Sequence, residues 1–430
     1  MSSLGAKARN ALNIIDKIQS IPDLIRKVQS KTAQPDQVKF FKSELQVSKE
    51  GIEERLAFIR ENLNHELPHL SGRESSFQPE SFTGNIENYI GLTQVPTGIM
   101  GPLRVVGSAA QGDFFVPLST SEGALVASYH RGAKACTLAG GVTSVCLVEG
   151  VQRSPAFKFE NLGDLGGFLV WLYEQIEHFK KLIRETSQYA ELVDLKSNIE
   201  GNHLILTFEY STGDAAGQNM VTICTDRICQ YIIDTAPVKP SLWYVEGNYS
   251  GDKKATSLSF SSVRGKRVTA EIELPEKIVR DIFKTTPYLM GEYWKTSTMS
   301  TIQSGAIGTQ GHYANGLTAL FLATGQDVAC ISEAAVGVTR IETTKAGNLY
   351  ASVTLPNLIV GTVGGGTALA TQRECLEMMD CYGKGKSRKF AEICGAVVLA
   401  GELSIAAALS AGHFTSAHQS LGRKNDRPKS

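Results

Sequence analysis

Residues 394–413 read CGAVVLAGELSIAAALSAGH, a run in which small and aliphatic residues dominate and Glu402 is the only carboxylate. Side chains this small let a helix approach its neighbours closely, so the run suits a buried central helix. Two further stretches share the character. They are SGAIGTQGHYANGLTALFLATGQ (304–326) and IVGTVGGGTALATQ (359–372). Together they suit a large buried helix layer.

Working outward, the composition changes twice. Between residues 155 and 244, FLVWLYEQIEHFKKLIRET reads as one helix and HLILTFEYST as a strand, and RVTAEIELP reads as a further strand beyond them. Residues 1 to about 80 look helical and charged. There Ser48 begins SKEGIEERLAFIRENLN, with Gly51 where a full capping box would place Glu, and Ile52, Leu56, Ile59 and Leu63 recur at helical spacing. No repeat of fixed period is evident.

The chain has 430 residues, 42% of them hydrophobic and 20% charged, enough for two or three compact units. Lys plus Arg and Asp plus Glu are each 43, a balance that argues against a nucleic-acid partner. The first thirty residues lack an apolar signal-like core, and no uninterrupted apolar run reaches membrane length, so no membrane partner and a cytoplasmic location are expected. The eight cysteines form no C-x-x-C pair and are expected to be reduced and mostly buried. No G-x-G-x-x-G occurs, and Gly385-Lys386-Ser387 lacks the upstream glycine of a P-loop.

Five segments set a titratable or cationic group among glycines and small polar residues. These are TSEGALVASYHRG with Glu122 and Arg131, STGDAAGQNM with Asp214 and Asn219, GNYSGDKKA with Asp252, Lys253 and Lys254, GQDVAC with Asp327, and AGHFTSAHQS with His413 and His418. In this order they resemble the 3-hydroxy-3-methylglutaryl-CoA reductase family. Glu87-Asn88-Tyr89-Ile90-Gly91 with Pro96, the G-T-V-G-G-G-T run from Gly361 to Thr367, and A-G-E-L-S from Ala400 to Ser404 extend the resemblance over roughly residues 84–423. The A-G-H-x-x-x-x-H setting of His418 is similar to the eukaryote-like class.

The resemblance implies an α/β fold. A helical N-terminal segment (1–84) would precede a large substrate-binding and catalytic domain (85–154 and 245–430). A small ferredoxin-like α+β domain (155–244) would be inserted to bind the nicotinamide cofactor. It implies reduction of an acyl-CoA thioester to an alcohol by two hydride transfers, through a hemithioacetal and an aldehyde. It also implies a homodimer or homotetramer with active sites at the subunit interface.

By the same resemblance Lys253 stabilises charge on the carbonyl oxygen, Glu122 protonates the aldehyde oxygen, Asp327 links the two, and His418 protonates the departing CoA thiolate. Ser119-Thr120-Ser121 is expected to cap a helix that Glu122 opens. Arg131, Arg153, Lys254, Lys295 and Asn315 match substrate-side residues. Asp214, Gly217, Asn219 and Met220 match a cofactor loop at a helix N-terminus, where amides would meet pyrophosphate, with Gly364, Gly365 and Arg423 completing it. His413 and His418 lie five residues apart, so no metal site is expected.

Three departures from the family pattern stand out. Glu246 replaces a serine that meets the substrate carboxylate, which opens a second reading with the same fold and a different acyl group. Gln188 replaces an arginine near the cofactor, which weakens the case for a 2′-phosphate; the resemblance implies NADPH, and NADH is left open. Lys424 replaces a phosphorylatable serine, which removes that control. A third reading, a non-catalytic binding subunit, is opposed by the intact Glu122, Lys253, Asp327 and His418.

Overall fold

Strand β3 (Val142–Arg153) runs through two sheet regions and so joins two hydrophobic cores. Its first part pairs in parallel with β1 (Thr97–Gly107) and antiparallel with β8 (Gly265–Leu274); its last three residues pair with β6 (His203–Ser211), with Val151 opposite Tyr210. The computed structural model describes residues 21–29, 38–41, 47–75 and 78–412.

The larger core lies around β1, β2 (Gln111–Ser119), β8, β10 (Gly337–Thr343) and β11 (Leu349–Leu358), with the short β9 (Gly308–Thr309) pairing in parallel with β10. Helices α3 (Leu125–Leu138), α7 (Pro287–Gln303), α8 (Tyr313–Thr324), α9 (Ala370–Met378) and α10 (Ser387–Ser410) surround that sheet. α10 carries the Ala/Gly-rich run. By length and composition it is apolar enough to cross a membrane, but 83% of its apolar window is buried in the fold, which makes it the core helix that its small residues imply. It packs tightly on α3: a Cβ on Gly132 would lie 2.0 Å from the Ala400 carbonyl oxygen, so only glycine permits the crossing.

Two carboxylates lie inside this apolar helix, and each is ringed by donors. Glu392 accepts from the amides of Ala109, Ala110 and Cys146 and from the Ser108 hydroxyl. Glu402 accepts from the amides of Gly311 (2.7 Å) and His312 (2.8 Å), from His312 Nδ1 (2.9 Å) and from Thr339 Oγ1 (2.8 Å). A buried carboxylate survives only with such partners.

The smaller core is formed by residues between Val151 and Ala236. Helices α4 (Leu162–Glu174), α5 (Ile176–Thr186) and α6 (Gln218–Thr235) accompany β4 (Ala156–Lys158), β5 (Glu191–Glu200), β6 and β7 (Leu242–Tyr244). The stretch read as one helix over 168–186 is two, because the α4 hydrogen bonds end at Gln175, which then starts α5.

In the N-terminal part, α1 (Ile21–Gln29) and α2 (Lys49–Leu63) are helical. Ser48 Oγ caps α2 by accepting from the Gly51 amide at 3.1 Å. From Asn64 to Pro96 the described chain is mostly turns and extended segments, so the expectation of a helical segment to residue 84 holds only in part. This segment is held by tertiary contacts: Glu374 accepts from the amides of His69 and Leu70, and Ile59 and Leu67 pack on Met378. All eight cysteines are free and buried, as expected.

Candidate active site

The segment Glu246–Lys254 leaves β7 and folds back over the end of β3. Lys253 sits in it with φ of 55°, a left-handed conformation that costs a residue bearing a Cβ about 1–2 kcal/mol. Its amide donates to Oε1 of buried Glu333 at 3.2 Å, which helps hold that conformation. The Lys253 ammonium lies 2.9 Å from Asp327 Oδ2, and both side chains remain about two-fifths exposed, open to a ligand. The hydrogen bond to Asp327 is the main cause that raises the Lys253 pKa above the ordinary lysine value, so it stays cationic.

Asp327 also caps the one-turn helix Val328–Cys330 through the Ala329 amide at 3.1 Å. Cys330, in that turn, accepts from the Gln218 side chain at the start of α6. The ion pair and the first turn of α6 are therefore neighbours. Gly217 precedes α6 with φ of 81°, and a Cβ there would come within 2.4 Å of the Thr212 side chain. Among the described residues no side chain caps this helix, Asn219 is exposed, and Gly364 and Gly365 are exposed with open space around them. A helix start with no side-chain cap among the described residues fits a dinucleotide pyrophosphate. Met220 instead packs on the smaller core.

Asp214 lies in the same loop, yet its carboxylate points into the protein. It accepts from the amides of Gly385 (2.7 Å) and Ser387 (3.1 Å), at the start of α10. Burial pushes its pKa up, but these donors outweigh that and hold it below the ordinary carboxylate value. The GKS turn that mimics a P-loop thus receives a carboxylate from its own chain.

Glu122 does not open a helix. The Thr120 hydroxyl accepts from the Glu122 amide at 3.0 Å, forming a turn, and α3 begins at Leu125 after Ala124, whose φ is 72°. Glu122 is exposed, and Asn315 Nδ2 donates to its two oxygens at 3.2 and 3.4 Å. Asn315 lies in the first turn of α8, whereas Asp327 follows its last turn. A 12-residue helix spans about 18 Å. Within one chain the Asp327 carboxylate contacts Lys253 and the Ala329 amide, and among the described residues it makes no contact with Glu122.

The remaining residues divide. Arg153 Nη1 donates to Glu246 Oε2 (3.1 Å) and Asp252 Oδ2 (3.3 Å), so Glu246 is countered by an arginine. Lys254 is exposed and donates to the Asp252 carbonyl at 2.9 Å. Arg131 is bound to the carbonyl and hydroxyl oxygens of Ser404 on α10. Lys295 is exposed on α7 and pairs with Glu292 at 2.6 Å. Gln188 is exposed. His413, His418, Arg423 and Lys424 lie outside the described residues. No cluster of metal-binding side chains occurs among the described residues.

Sequence reasoning missed the support beneath Lys253. Arg264, 2% exposed, binds Asp252, Glu333 (3.3 Å) and the Gln152 carbonyl (3.1 Å). It also missed Glu402 and His312, which secure the N-terminal end of α8. Nothing in the local pattern of V-R-G-K or S-E-A-A signals these pairs.

The fold and this cluster define an α/β protein in which an exposed lysine–aspartate pair lies beside a helix N-terminus. The family profile of hydroxymethylglutaryl-coenzyme A reductase matches residues 51–423. The chain is 40% identical to the 3-hydroxy-3-methylglutaryl-coenzyme A reductase of Pyrococcus horikoshii, covering 94% of this chain and 98% of that one. It is 42% identical to that of Methanocaldococcus jannaschii, covering 87% and 94%. The fold is similar to that of the class II reductase of Streptococcus pneumoniae bound to NADPH, with a TM-score of 0.67 at 17% identity over 83% of this chain and 96% of that one. The chain belongs to the hydroxymethylglutaryl-coenzyme A reductase family.

Proposed function

We propose that this enzyme reduces 3-hydroxy-3-methylglutaryl-CoA with NADPH to mevalonate and free CoA, a step that feeds isoprenoid synthesis. Family membership over most of the chain supports the reaction, and the Lys253–Asp327 pair beside the start of α6 carries the site assignment. Bound NADPH supplies hydride, and the balance requires two hydrides and two protons per thioester reduced to alcohol.

Lys253, kept cationic by Asp327, attracts the carbonyl oxygen as negative charge grows there in each reduction. The start of α6, with Gly217 and Asn219, and the open Gly364–Gly365 edge would hold the dinucleotide, with residues 155–244 as its binding unit. Lys254 is the exposed cation nearest in sequence for an acyl carboxylate. His418 would protonate the thiolate as CoA leaves. Glu122, positioned by Asn315, would protonate the aldehyde oxygen.

Glu122 is exposed in the single chain, so the burial that an acid calls for has to come from substrate and a second subunit. Opposite ends of α8 carry the two halves of the chemistry, which favours a homodimer or larger assembly with the site between subunits. We take its location as cytoplasmic.

The test is nicotinamide oxidation by the purified chain with 3-hydroxy-3-methylglutaryl-CoA, using NADPH and NADH in turn. Turnover with release of CoA thiol is expected. No oxidation with this thioester, but oxidation with another acyl-CoA, would move the reading to a different acyl group. No oxidation with any would favour a binding subunit.

A further inference from the structure

The chain passes between the two cores twice, once at the end of β3 and once after β7. These crossings lie side by side: the Gly247 amide donates to the Ser154 carbonyl at 2.6 Å. Glu246 and Arg153 bind each other across them. The Glu246 carboxylate is engaged from four directions, by Arg153 Nη1 (3.1 Å), the Ser154 amide (3.3 Å), the Ser250 hydroxyl (3.1 Å) and the Tyr249 amide (3.3 Å). It thereby ties one crossing to the other and also folds the Lys253 segment at its root.

Arg153 extends the tie in two directions. Its Nη1 reaches Asp252, the residue before Lys253, and its Nη2 donates to the Gln218 carbonyl at 3.4 Å, in the first turn of α6. Asp252 in turn binds Arg264, which binds Glu333, which accepts from the Lys253 amide. Arg153 and Arg264 are nearly fully buried, so these contacts lie in a low-dielectric setting where charge pairing is directional and strong.

We infer that Glu246 and Arg153 form a latch across the two crossings that sets the Lys253 segment against the start of α6. Arg153 is on this view a positioning residue, held by its own chain's carboxylates and not by the acyl carboxylate of the substrate. The inference rests on the proposed reduction for its kinetic arm only.

The test uses Glu246→Gln, which keeps shape and loses charge, with Glu246→Asp as the milder variant and Arg153→Lys as the partner change. In the full-length enzyme, amide hydrogen exchange over 247–254 and at the start of α6 is expected to speed about tenfold in Glu246→Gln, and less in Glu246→Asp. The hydride-transfer rate is expected to fall about tenfold or more, with KM for the acyl-CoA changed by less than about threefold. Unchanged exchange in all three variants overturns the latch, whether or not the wild type turns over this thioester. So does a steep rise in KM for acyl-CoA at constant kcat in Arg153→Lys, which would make Arg153 an acyl contact. Wild-type enzyme inactive on 3-hydroxy-3-methylglutaryl-CoA while the exchange result holds would sink the proposed reaction and leave the latch standing.

Discussion

Lys253 Nζ and Asp327 Oδ2 meet at 2.9 Å, while Glu122 is held by Asn315 at the opposite end of the helix that leads to Asp327. One chain therefore presents the Lys253–Asp327 pair at one place and Glu122 at another. Asn315 stands nine residues before the end of α8, a rise of about 13 Å, and Asp327 lies beyond that end.

Lys253→Ala should lower kcat by a factor on the order of 10² to 10³, the usual effect of losing one preorganised charge at a developing oxyanion. The thermal midpoint should barely move, because the side chain is 45% exposed. Asp327→Asn should lower kcat less and shift the alkaline limb of the rate profile down. The sign follows from the pair: Asp327 raises the Lys253 pKa, so activity that needs the ammonium persists above the ordinary lysine value and is lost as pH rises through the raised one. An alkaline limb that stays in place in Asp327→Asn would refute this assignment.

Glu122→Gln and Lys253→Ala should each be inactive alone and complement when mixed and reassembled. In randomly paired dimers about half carry one intact site of two, so about a quarter of wild-type activity should return. Mixing that restores nothing would show that each chain brings Glu122 and Lys253 together by itself.

Asp214→Ala should cost about 1 kcal/mol or somewhat more at neutral pH, since it removes the carboxylate that caps the start of α10. The folded-state pKa of Asp214 is lowered, so its contribution is present above the ordinary aspartate value and fades as pH falls through the lowered one. Denaturant midpoints of wild type and variant should therefore converge in acid. Because the same loop leads into α6, KM for NADPH should also rise. A constant stability gap down to strongly acid pH would contradict the capping role.

Glu402→Ala should be among the most destabilising single changes, about 3–5 kcal/mol, read as a fall in denaturant midpoint. It leaves the amides of Gly311 and His312 and the Thr339 hydroxyl without their acceptor in a buried place. A loss under 1 kcal/mol would mean that those donors find other partners.

Much of the larger unit was legible because its signal is local. The small residues of 394–413 describe a helix that must be buried, and it is. The N-cap at Ser48 followed from spacing alone. Local spacing failed where the backbone turned without a break in the local pattern. Thr120 forms a turn in place of a cap, so Glu122 precedes its helix, and Gln175 divides a stretch whose hydrophobic pattern looks continuous. The candidate residues themselves were named from motifs, but the role of Asp214 was not visible, because its partners at Gly385 and Ser387 are brought near by the sheet and not by sequence distance.

The sequence by itself determined the family, the elements with strong periodicity, and which residue types are available for thioester reduction. These depend on composition and on spacings of a few residues, which the chain carries in any conformation. Only the tertiary structure decided that Arg153 faces Glu246, that Arg264 and Glu333 support Lys253, and that Glu122 and Lys253 lie at opposite ends of one helix. Each of those relations joins positions distant in the chain, and its energy depends on burial and on distances that exist only once β3 has crossed from one core to the other.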